Sequence, residues 1–328
     1  MAEEVRDGVR LTNLDQPLYQ DAGATKGELV DYLDTVHPAM IAVLAERPLS
    51  VIRVRPGQPP FMQKNLPPYA PDWLSTARVW AASSRREVRY PLCNNRRTLL
   101  WLANQRAVEY HPALLRVDRP EESTHLVLDL DPPDAAGFTM AVTAAGLVRE
   151  ALADAGLTGA VKTSGAKGLH IFVPLAPGPS IADVAAATRA VAARAERLDP
   201  ELTTTAFIRE DRRGRLYLDP TRAGGATVVA AYSPRARAGL PVSFPVAWSD
   251  LDQIVPGDFT VHTAGRLLAG QDRWQELMPA AQELSAALIE EGNEIPAPRV
   301  QAMHEGRRRA RAKQAPSPTE PPAEPPAD

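Results

Sequence analysis

The chain has 328 residues, of which 44% are apolar and 23% charged, and its formal net charge is −3. These values are typical of an ordinary globular protein with one large domain or two small ones. No run reaches the ~18 to 20 continuous apolar residues of a membrane helix, and the N-terminus lacks the apolar core of a signal peptide. Cys93 is the only cysteine, which excludes an internal disulfide and a multi-cysteine zinc site. A cytoplasmic location is therefore the default expectation.

The first half of the chain predicts two helices and a strand. Apolar residues recur at roughly helical spacing over Thr25–Arg47, which predicts a helix. Leu49–Arg55 predicts a strand that ends at a Pro-Gly pair. Thr98–Tyr110 predicts a second helix, which leads to His111.

The second half predicts strands that alternate with helices. The predicted helices are Thr139–Ala155 and Ile181–Leu198, the latter capped by Ser180. The predicted strands include Gly159–Thr163, Leu169–Pro174 and Thr227–Tyr232. This order predicts an α/β (α+β) chain with a mixed sheet rather than a doubly wound one.

Two acids end an apolar strand in the segment HLVLDLDPP, His125 to Pro133. Successive strand side chains point to opposite faces, so Asp129 and Asp131 share one face. Carboxylates placed in this way can hold Mg²⁺ or Mn²⁺ through oxygen. Taken alone, the pattern also fits a solvated strand end followed by a turn.

A glycine-punctuated loop, Ser164 to Gly168, separates two predicted strands. Its glycines permit a close approach to a ligand, and its backbone N–H groups with Lys167 can cradle phosphate. His170 alternates with the apolar residues of its strand and can point to the face of the acidic pair. The loop lacks the full P-loop pattern, and in isolation a plain hairpin turn explains it equally well.

A third carboxylate, Asp219, follows the same logic in RLYLDPTR, Arg215 to Arg222. Tyr217 and Asp219 share one face, and a proline follows at once. Three such segments in one chain suit the metal-assisted transfer of a nucleotide.

Basic residues and the C-terminal composition add weaker signals. Arginines bunch at Arg85–Arg86, Arg96–Arg97, Arg212–Arg215 and around Arg235, either as solvated faces or as a local electropositive groove. Residues 296–328 lose apolar periodicity, since a basic run precedes a Pro- and acid-rich end, which predicts a disordered tail.

The joint order DLDP, SGAKGLH, YLD and AYSPRAR resembles the polymerase domain of bacterial ligase D, within the archaeo-eukaryotic primase superfamily. The resemblance runs from about Leu11 to about Leu284 and includes TNLDQPLYQDAGATKGELVDYL, PPFMQKNLPPYAPDWL and LWLANQRAVEYHP. It implies an RRM-like catalytic sheet at about 116–295, packed against an N-terminal subdomain at about 1–115.

The resemblance also implies a two-metal mechanism. Asp129, Asp131 and Asp219 would hold two Mn²⁺ or Mg²⁺ ions, which activate a primer 3′-hydroxyl and steady the leaving pyrophosphate. Lys167 and His170 would contact the triphosphate.

Further nucleotide-binding candidates follow from the same likeness. Arg235 and Arg237 would also contact the triphosphate. In the family, residues at the positions of Ser164 and His111 lie near the sugar and are associated with a preference for ribonucleotides. A plain histidine at a helix end is the alternative for His111.

DNA-binding candidates follow from the same resemblance. Phe61 would stack on a template base, whereas Met62 stands where a second aromatic residue is usual. Lys26 would contact a downstream 5′-phosphate, and Lys64 is a further candidate for DNA contact. Gln16 replaces a frequent lysine, which predicts weaker selection for a 5′-phosphate.

A departure from the family pattern follows the third carboxylate. Pro220, Thr221 and Arg222 replace a more usual Trp-Ser-Gln run, which can reshape the pocket beside Asp219.

The sequence thus predicts a nucleotidyltransferase that extends primers and fills gaps at DNA ends, using NTPs or dNTPs. No K-x-D-G ligase signature is present. By resemblance, a separate ATP-dependent DNA ligase and the Ku protein are therefore the expected partners. The expected location is the nucleoid, with no membrane partner. The alternatives are a primase that starts chains de novo, a non-catalytic DNA-end-binding module and, more remotely, a metal-dependent phosphoesterase.

Overall fold

The structure, a computed structural model, describes residues 4–81, 85–134, 137–223 and 226–297. The predicted tail therefore lies outside the described residues from 298 onward. The strands are β1 Glu4–Arg6, β2 Val9–Leu11, β3 Leu49–Arg55, β4 Gln58–Gln63, β5 Thr76–Ala81, β6 Arg86–Pro91, β7 Ala107–Pro112, β8 His125–Asp131, β9 Ala160–Thr163, β10 Leu169–Pro174, β11 Thr203–Thr204, β12 Leu216–Asp219 and β13 Pro245–Val246.

The α-helices are α1 Lys26–Leu44, α2 Arg96–Asn104, α3 Phe138–Asp154, α4 Ile181–Leu198, α5 Ala264–Leu268, α6 Arg273–Leu277 and α7 Ala286–Glu294. Short 3-10 helices span Arg209–Arg212, Trp248–Gln253 and Pro256–Asp258. Within the described residues, no helix is long and apolar enough to cross a membrane.

A six-stranded sheet organises the C-terminal part, in the order β11-β12-β8-β10-β9-β13. The β11 and β12 pair is parallel, and the other pairs are antiparallel. The predicted mixed sheet is therefore confirmed. Helices α3 and α4 pack against β8 through small, largely alanine side chains. Leu126, Leu128 and Leu130 are fully buried and alternate with the acids of β8, which leaves the opposite face to polar groups.

The N-terminal part surrounds a three-stranded sheet, β4-β3-β7, and a β5-β6 hairpin. Helix α1 begins after Thr25, whose side chain forms a capping box with Glu28. The two parts share contacts and one apolar core. Tyr32 Oη donates to Tyr232 O at 2.7 Å, and Ala230 N donates to Tyr110 O at 2.9 Å.

Two predicted elements are wrong. The helix predicted over Thr98–Tyr110 ends at Asn104, and Ala107–Pro112 forms strand β7 beside β3. Arg106, with φ of +61°, makes the turn between them, so His111 lies on a strand and not at a helix end.

The strand predicted over Thr227–Tyr232 is also wrong. Thr227 makes only an isolated bridge to Ala113, and Tyr232 has φ of +68°, which an extended strand cannot accommodate.

Candidate active site

Four polar side chains form one row across adjacent strands of the large sheet. Asp219 is in register with Asp129, and Asp129 is in register with His170. His170 is in turn in register with Lys162 of β9. Side chains of registered residues point to the same face of a sheet. We call Asp219, Asp129, His170 and Lys162 the polar row.

His170 connects the acidic and basic ends of the polar row. Its Nε2 lies 3.3 Å from Asp129 Oδ1, and its Nδ1 lies 2.8 Å from Lys162 Nζ. Lys162 Nζ also donates to Ser243 Oγ at 2.5 Å. Because the lysine nitrogen donates to Nδ1, the ring proton belongs on Nε2, where it faces the carboxylate. Both ring nitrogens are thus engaged, and the imidazole orients Asp129.

The charges of the row are set by burial and by one another. Burial and the nearby Lys162 lower the pKa of His170 to about 4, against the opposite effect of Asp129. Burial and then Arg235 lower the pKa of Lys162 well below its usual value. Burial alone would raise the pKa of Asp129, but His170 and Arg222 outweigh it and the pKa falls. Asp129 is therefore ionised near neutral pH, while His170 is neutral.

The other two carboxylates differ in their surroundings. Asp219 Oδ1 accepts hydrogen bonds from Thr221 N at 2.8 Å and from Thr221 Oγ1 at 2.6 Å. The carboxylate of Asp131, by contrast, has no hydrogen bond or ion pair to any other side chain that the structure describes. Burial and the charge of Asp129 raise the pKa of Asp131, so it is the acid that most lacks a cation.

A guanidinium already lies between two of these acids. Arg222 Nη2 is 3.1 Å from Asp129 Oδ2, and its Nε is 3.3 Å from Asp219 Oδ2. In the described part of the chain, no group of three or more His, Cys, Asp or Glu side chains converges as a metal cluster. The residues nevertheless fit divalent ions, because they offer carboxylate oxygens and a cation is seated between two of them.

The loop between β9 and β10 is held by its own hydrogen bonds. Ser164 Oγ accepts from the N–H groups of Ala166 and Gly168, both at 3.2 Å. The hydroxyl proton of Ser164 is then available to an incoming acceptor. Lys167 Nζ donates to Pro132 O, which ties the loop to the turn after β8.

Two glycines let this loop close onto the acidic strand. A Cβ at Gly168 would lie 2.0 Å from Leu130 O, in the strand between the two acids. Gly165 has φ of +67°, and a Cβ there would lie 2.6 Å from Arg235 Cγ. Neither position can carry a side chain without moving the backbone of the site.

Glu109 of β7 joins two of the predicted nucleotide-binding residues. Its Oε2 lies 2.9 Å from His111 Nε2 and 3.0 Å from Arg235 Nε. Burial opposes the charge of Glu109, but the hydrogen bond from His111 and the charge of Arg235 lower its pKa to about 2. Arg235 also donates to Ser164 O, so His111, Arg235 and Ser164 form one connected group. Arg237 is exposed to solvent.

The candidates for base stacking lie on β4 of the N-terminal part. Phe61 is half-buried, with the guanidinium carbons of Arg55 and Arg53 at 4.7 and 5.8 Å from its ring centroid. Met62, next in the strand, is 46% exposed, and Lys64 is exposed as well. β4 thus offers one aromatic ring, Phe61, with two arginine side chains beside it.

The predicted phosphate contact Lys26 is turned inward. It is 3% exposed, and its Nζ donates to Thr12 O and, at 2.7 Å, to Asn104 Oδ1. Burial and then Arg106 lower its pKa to about 8. Gln16 Oε1 accepts from Arg106 Nη2 at 2.8 Å, so a guanidinium stands beside the residue that lacks a lysine charge.

Sequence reasoning missed Lys162, Glu109 and the bridging position of Arg222. Lys162 could have been found by counting outward from the five-residue loop, which pairs it with His170. Glu109 was hidden because its segment was predicted as a helix. Arg222 was noticed only as a departure from a pattern, with no partner assigned.

Comparison with known proteins agrees with this geometry. Residues 25–274 match the family model described as LigD, primase-polymerase domain. The chain belongs to the LigD primase-polymerase family.

Members of this family in two bacterial groups are similar to the chain. The multifunctional non-homologous end joining protein LigD of Mycobacterium bovis is 35% identical over 255 residues, covering 74% of this chain and 33% of that protein. The bifunctional non-homologous end joining protein LigD of Bacillus subtilis is 32% identical over 269 residues, covering 80% and 43%. The chain therefore spans about a third of the length of the mycobacterial LigD.

A solved structure has the same fold. The polymerase domain from Mycobacterium tuberculosis ligase D, in complex with DNA, superposes with a TM-score of 0.75 at 33% sequence identity. The match covers 84% of this chain and 99% of the solved one. The LigD polymerase fold, which the sequence motifs predicted, is thereby confirmed.

Proposed function

We propose that this chain is a metal-dependent, DNA-directed nucleotidyltransferase that extends primers and fills gaps at DNA ends, with a preference for ribonucleotides. The observation that carries the proposal is the polar row, in which strand register sets two carboxylates beside an imidazole and a lysine amine. An intact row also argues against a non-catalytic end-binding module.

The acids hold the catalytic metal ions in this proposal. Asp129, Asp131 and Asp219 are the ligands, and bound Mn²⁺ or Mg²⁺ ions would supply Lewis-acid activation of a primer 3′-hydroxyl and charge stabilisation of pyrophosphate. His170 acts as a positioning residue, because its Nε2–H holds Asp129 Oδ1. Lys162 fixes the tautomer of His170 from the other side.

The loop and the Glu109 group bind the nucleotide. Lys167, Arg235 and Arg237 supply positive charge for the triphosphate. His170 was also a predicted triphosphate contact, and it could serve as one only by giving up a bond within the row. Ser164 has a free hydroxyl proton for a 2′-hydroxyl.

The second ribose contact in this proposal comes from strand β7. His111, held by Glu109 at 2.9 Å, is the second group that senses the 2′-hydroxyl. Two groups from two parts of the chain would then discriminate a ribonucleotide from a deoxyribonucleotide.

The N-terminal part, up to about residue 115, supplies the DNA contacts, and the part from about 116 to 295 supplies the chemistry. Phe61 stacks on a template base, and Lys64 contacts the backbone. Lys26 and Arg106 supply the positive charge that attracts a downstream 5′-phosphate, and Arg106 is the more accessible of the two.

The biological setting follows from the relatives, whose names specify non-homologous end joining. We propose the same pathway, or gap repair, for this chain. In that pathway Ku and an ATP-dependent DNA ligase would be its partners, and the nucleoid its place of action.

Incorporation on a gapped, 5′-phosphorylated DNA duplex with Mn²⁺ tests the proposal. We expect the wild type to extend the primer with NTPs faster than with dNTPs. The Asp129→Ala, Asp131→Ala double variant should lose extension by on the order of 10³-fold or more, because catalysis here rests on charge stabilisation. Retained DNA binding without extension by the wild type would favour an end-binding module instead.

Two controls separate the neighbouring activities. Product formed without a primer would indicate a primase that starts chains de novo. Release of free phosphate instead of pyrophosphate would indicate a phosphoesterase and contradict nucleotidyl transfer.

A further inference from the structure

The guanidinium of Arg222 lies between two acids, in the space that a metal ion bound to both would occupy. Its side chain follows β12 and reaches back to two acids, with Nη2 3.1 Å from Asp129 Oδ2 and Nε 3.3 Å from Asp219 Oδ2. The side chain is 36% exposed, so solvent reaches the guanidinium. It can therefore leave the carboxylates without unfolding the sheet.

The remaining oxygens of these two acids are held by the protein itself. Asp129 Oδ1 faces His170 Nε2 at 3.3 Å, inside the polar row. Asp219 Oδ1 accepts from Thr221 N at 2.8 Å, in the turn after β12. The two Oδ2 atoms are thus the oxygens that do not depend on strand or turn geometry, and Arg222 covers both.

We infer that Arg222 is a resident counter-cation which a divalent metal ion must displace before it can bind Asp129 and Asp219, so that this residue sets the metal affinity of the protein. This inference rests on the proposed function, because it takes the same acids as metal ligands. It adds a residue that the polar row alone does not indicate.

The physical reason is competition between like charges. A guanidinium and a divalent ion cannot share the same two oxygens, and they repel each other strongly at a few ångströms in a partly buried site. Before the metal binds, Arg222 compensates two carboxylates that are only 7% and 6% exposed. The two carboxylates are therefore already neutralised in the metal-free site. The binding free energy of a metal ion is smaller than it would be at a pair of carboxylates without a counter-cation.

The chemistry of arginine also explains why lysine is the matched control. A guanidinium presents several N–H donors in a fixed plane and can bridge two carboxylates. A lysine ammonium keeps the charge but is a compact point donor on a flexible stem. Glutamine keeps polarity and removes the charge. The three side chains thus separate charge from bridging geometry.

Titration of the protein with Mn²⁺, followed by the electron paramagnetic resonance signal of the free ion, tests the inference without nucleotide or DNA. We expect Arg222→Gln to bind Mn²⁺ roughly tenfold or more tightly than the wild type, a change of about 1.4 kcal/mol per tenfold. Arg222→Lys should bind with an affinity between the two. Arg222→Met, a second uncharged variant, should agree with Arg222→Gln, and circular dichroism confirms that each protein is folded.

The outcome separates this inference from the proposed function. Equal or weaker Mn²⁺ binding by both uncharged variants would overturn the inference, even if the wild type polymerises. Tighter binding that is abolished by adding Asp129→Ala and Asp219→Ala, the two acids that Arg222 contacts, would support it, even if no nucleotide is incorporated. Tighter binding that survives those two changes would place the ion elsewhere and also overturn the inference.

Discussion

The predicted residues of the catalytic sheet and those of the N-terminal part are held in different ways. Asp129, Asp219 and His170 are aligned by backbone register across three neighbouring strands. Phe61 and Lys64 lie at or just after the edge strand β4, where one side of the backbone is unpaired. The first group is fixed by the sheet itself, whereas the second depends on what binds there.

This difference shows where short-range patterns predict function well. Side-chain alternation fixes the face of a strand residue, so acids two positions apart on a buried strand must project together. An exposed residue on an edge strand alternates in the same way, but no neighbouring strand on the open side holds its side chain in one place. Substitutions in the sheet should therefore have large effects and those in the N-terminal part small ones.

The largest effect is expected at Gly168. Gly168→Ala should lower the free energy of unfolding by about 3 kcal/mol and abolish extension, because its Cβ would lie 2.0 Å from Leu130 O. Thermal and urea denaturation measure the stability. Gly146→Ala is the control, since Gly146 lies on the exposed face of helix α3 and nothing lies within 4 Å of a Cβ there. The free energy of unfolding of that variant should be unchanged or higher by up to about 1 kcal/mol. If Gly168→Ala were as stable and as active as the wild type, the close packing of the loop on β8 would be contradicted.

A smaller but more selective effect is expected at Lys162. Lys162→Met should reduce extension by about 10- to 100-fold, as other substitutions behind a ligating group do. Its melting temperature should stay equal or rise, because burial already holds the pKa of this amine well below its usual value and an apolar side chain of similar size removes that desolvation cost. Steady-state kinetics and calorimetry on the same sample check both. Loss of stability together with activity would mean that Lys162 is structural and does not position His170.

His111 should affect the choice of sugar more than the rate. His111→Ala is expected to lower the preference for NTP over dNTP by about tenfold, the equivalent of one hydrogen bond. The kcat/KM for dNTP should change little. Competition between matched NTP and dNTP on one gapped duplex gives the ratio directly, and an unchanged ratio would remove His111 from the sugar contact.

The smallest effect is expected for the 5′-phosphate. Because Gln16 is neutral and Lys26 is buried, gapped DNA with and without a 5′-phosphate should differ in Kd by less than about fivefold, as partly exposed charge contacts usually do. Arg106→Gln should erase that remaining difference. Fluorescence anisotropy at two salt concentrations measures the Kd for both DNAs. A strong preference of the wild type for the 5′-phosphorylated DNA would contradict the weak selection predicted from Gln16.

Elements with a complete local signal were predicted well from the sequence. Helix α4 begins and ends at the predicted residues, since Ser180 and Asp183 form a capping box and apolar spacing continues to Leu198. The helix predicted over Thr98–Tyr110 failed in its second half. There, pairing with β3 overrides the helical pattern of Ala107–Pro112, and such pairing depends on residues far away in the sequence.

The candidate site divides in the same way. The acids and the glycine loop were visible because strand parity and loop composition are local properties. The contacts of Arg222 with Asp129, 93 positions earlier, and of Glu109 with Arg235 are tertiary. No periodicity in the sequence encodes them, so the counter-cation could be recognised only from the folded chain.

The most direct test of the central claim is anomalous diffraction from crystals soaked in Mn²⁺. We predict anomalous peaks coordinated by Asp129, Asp131 and Asp219, with the Arg222 guanidinium moved away from both Oδ2 atoms. Saturating Mn²⁺ that leaves these acids without a peak, or that binds only at other positions, would contradict a catalytic role for the polar row.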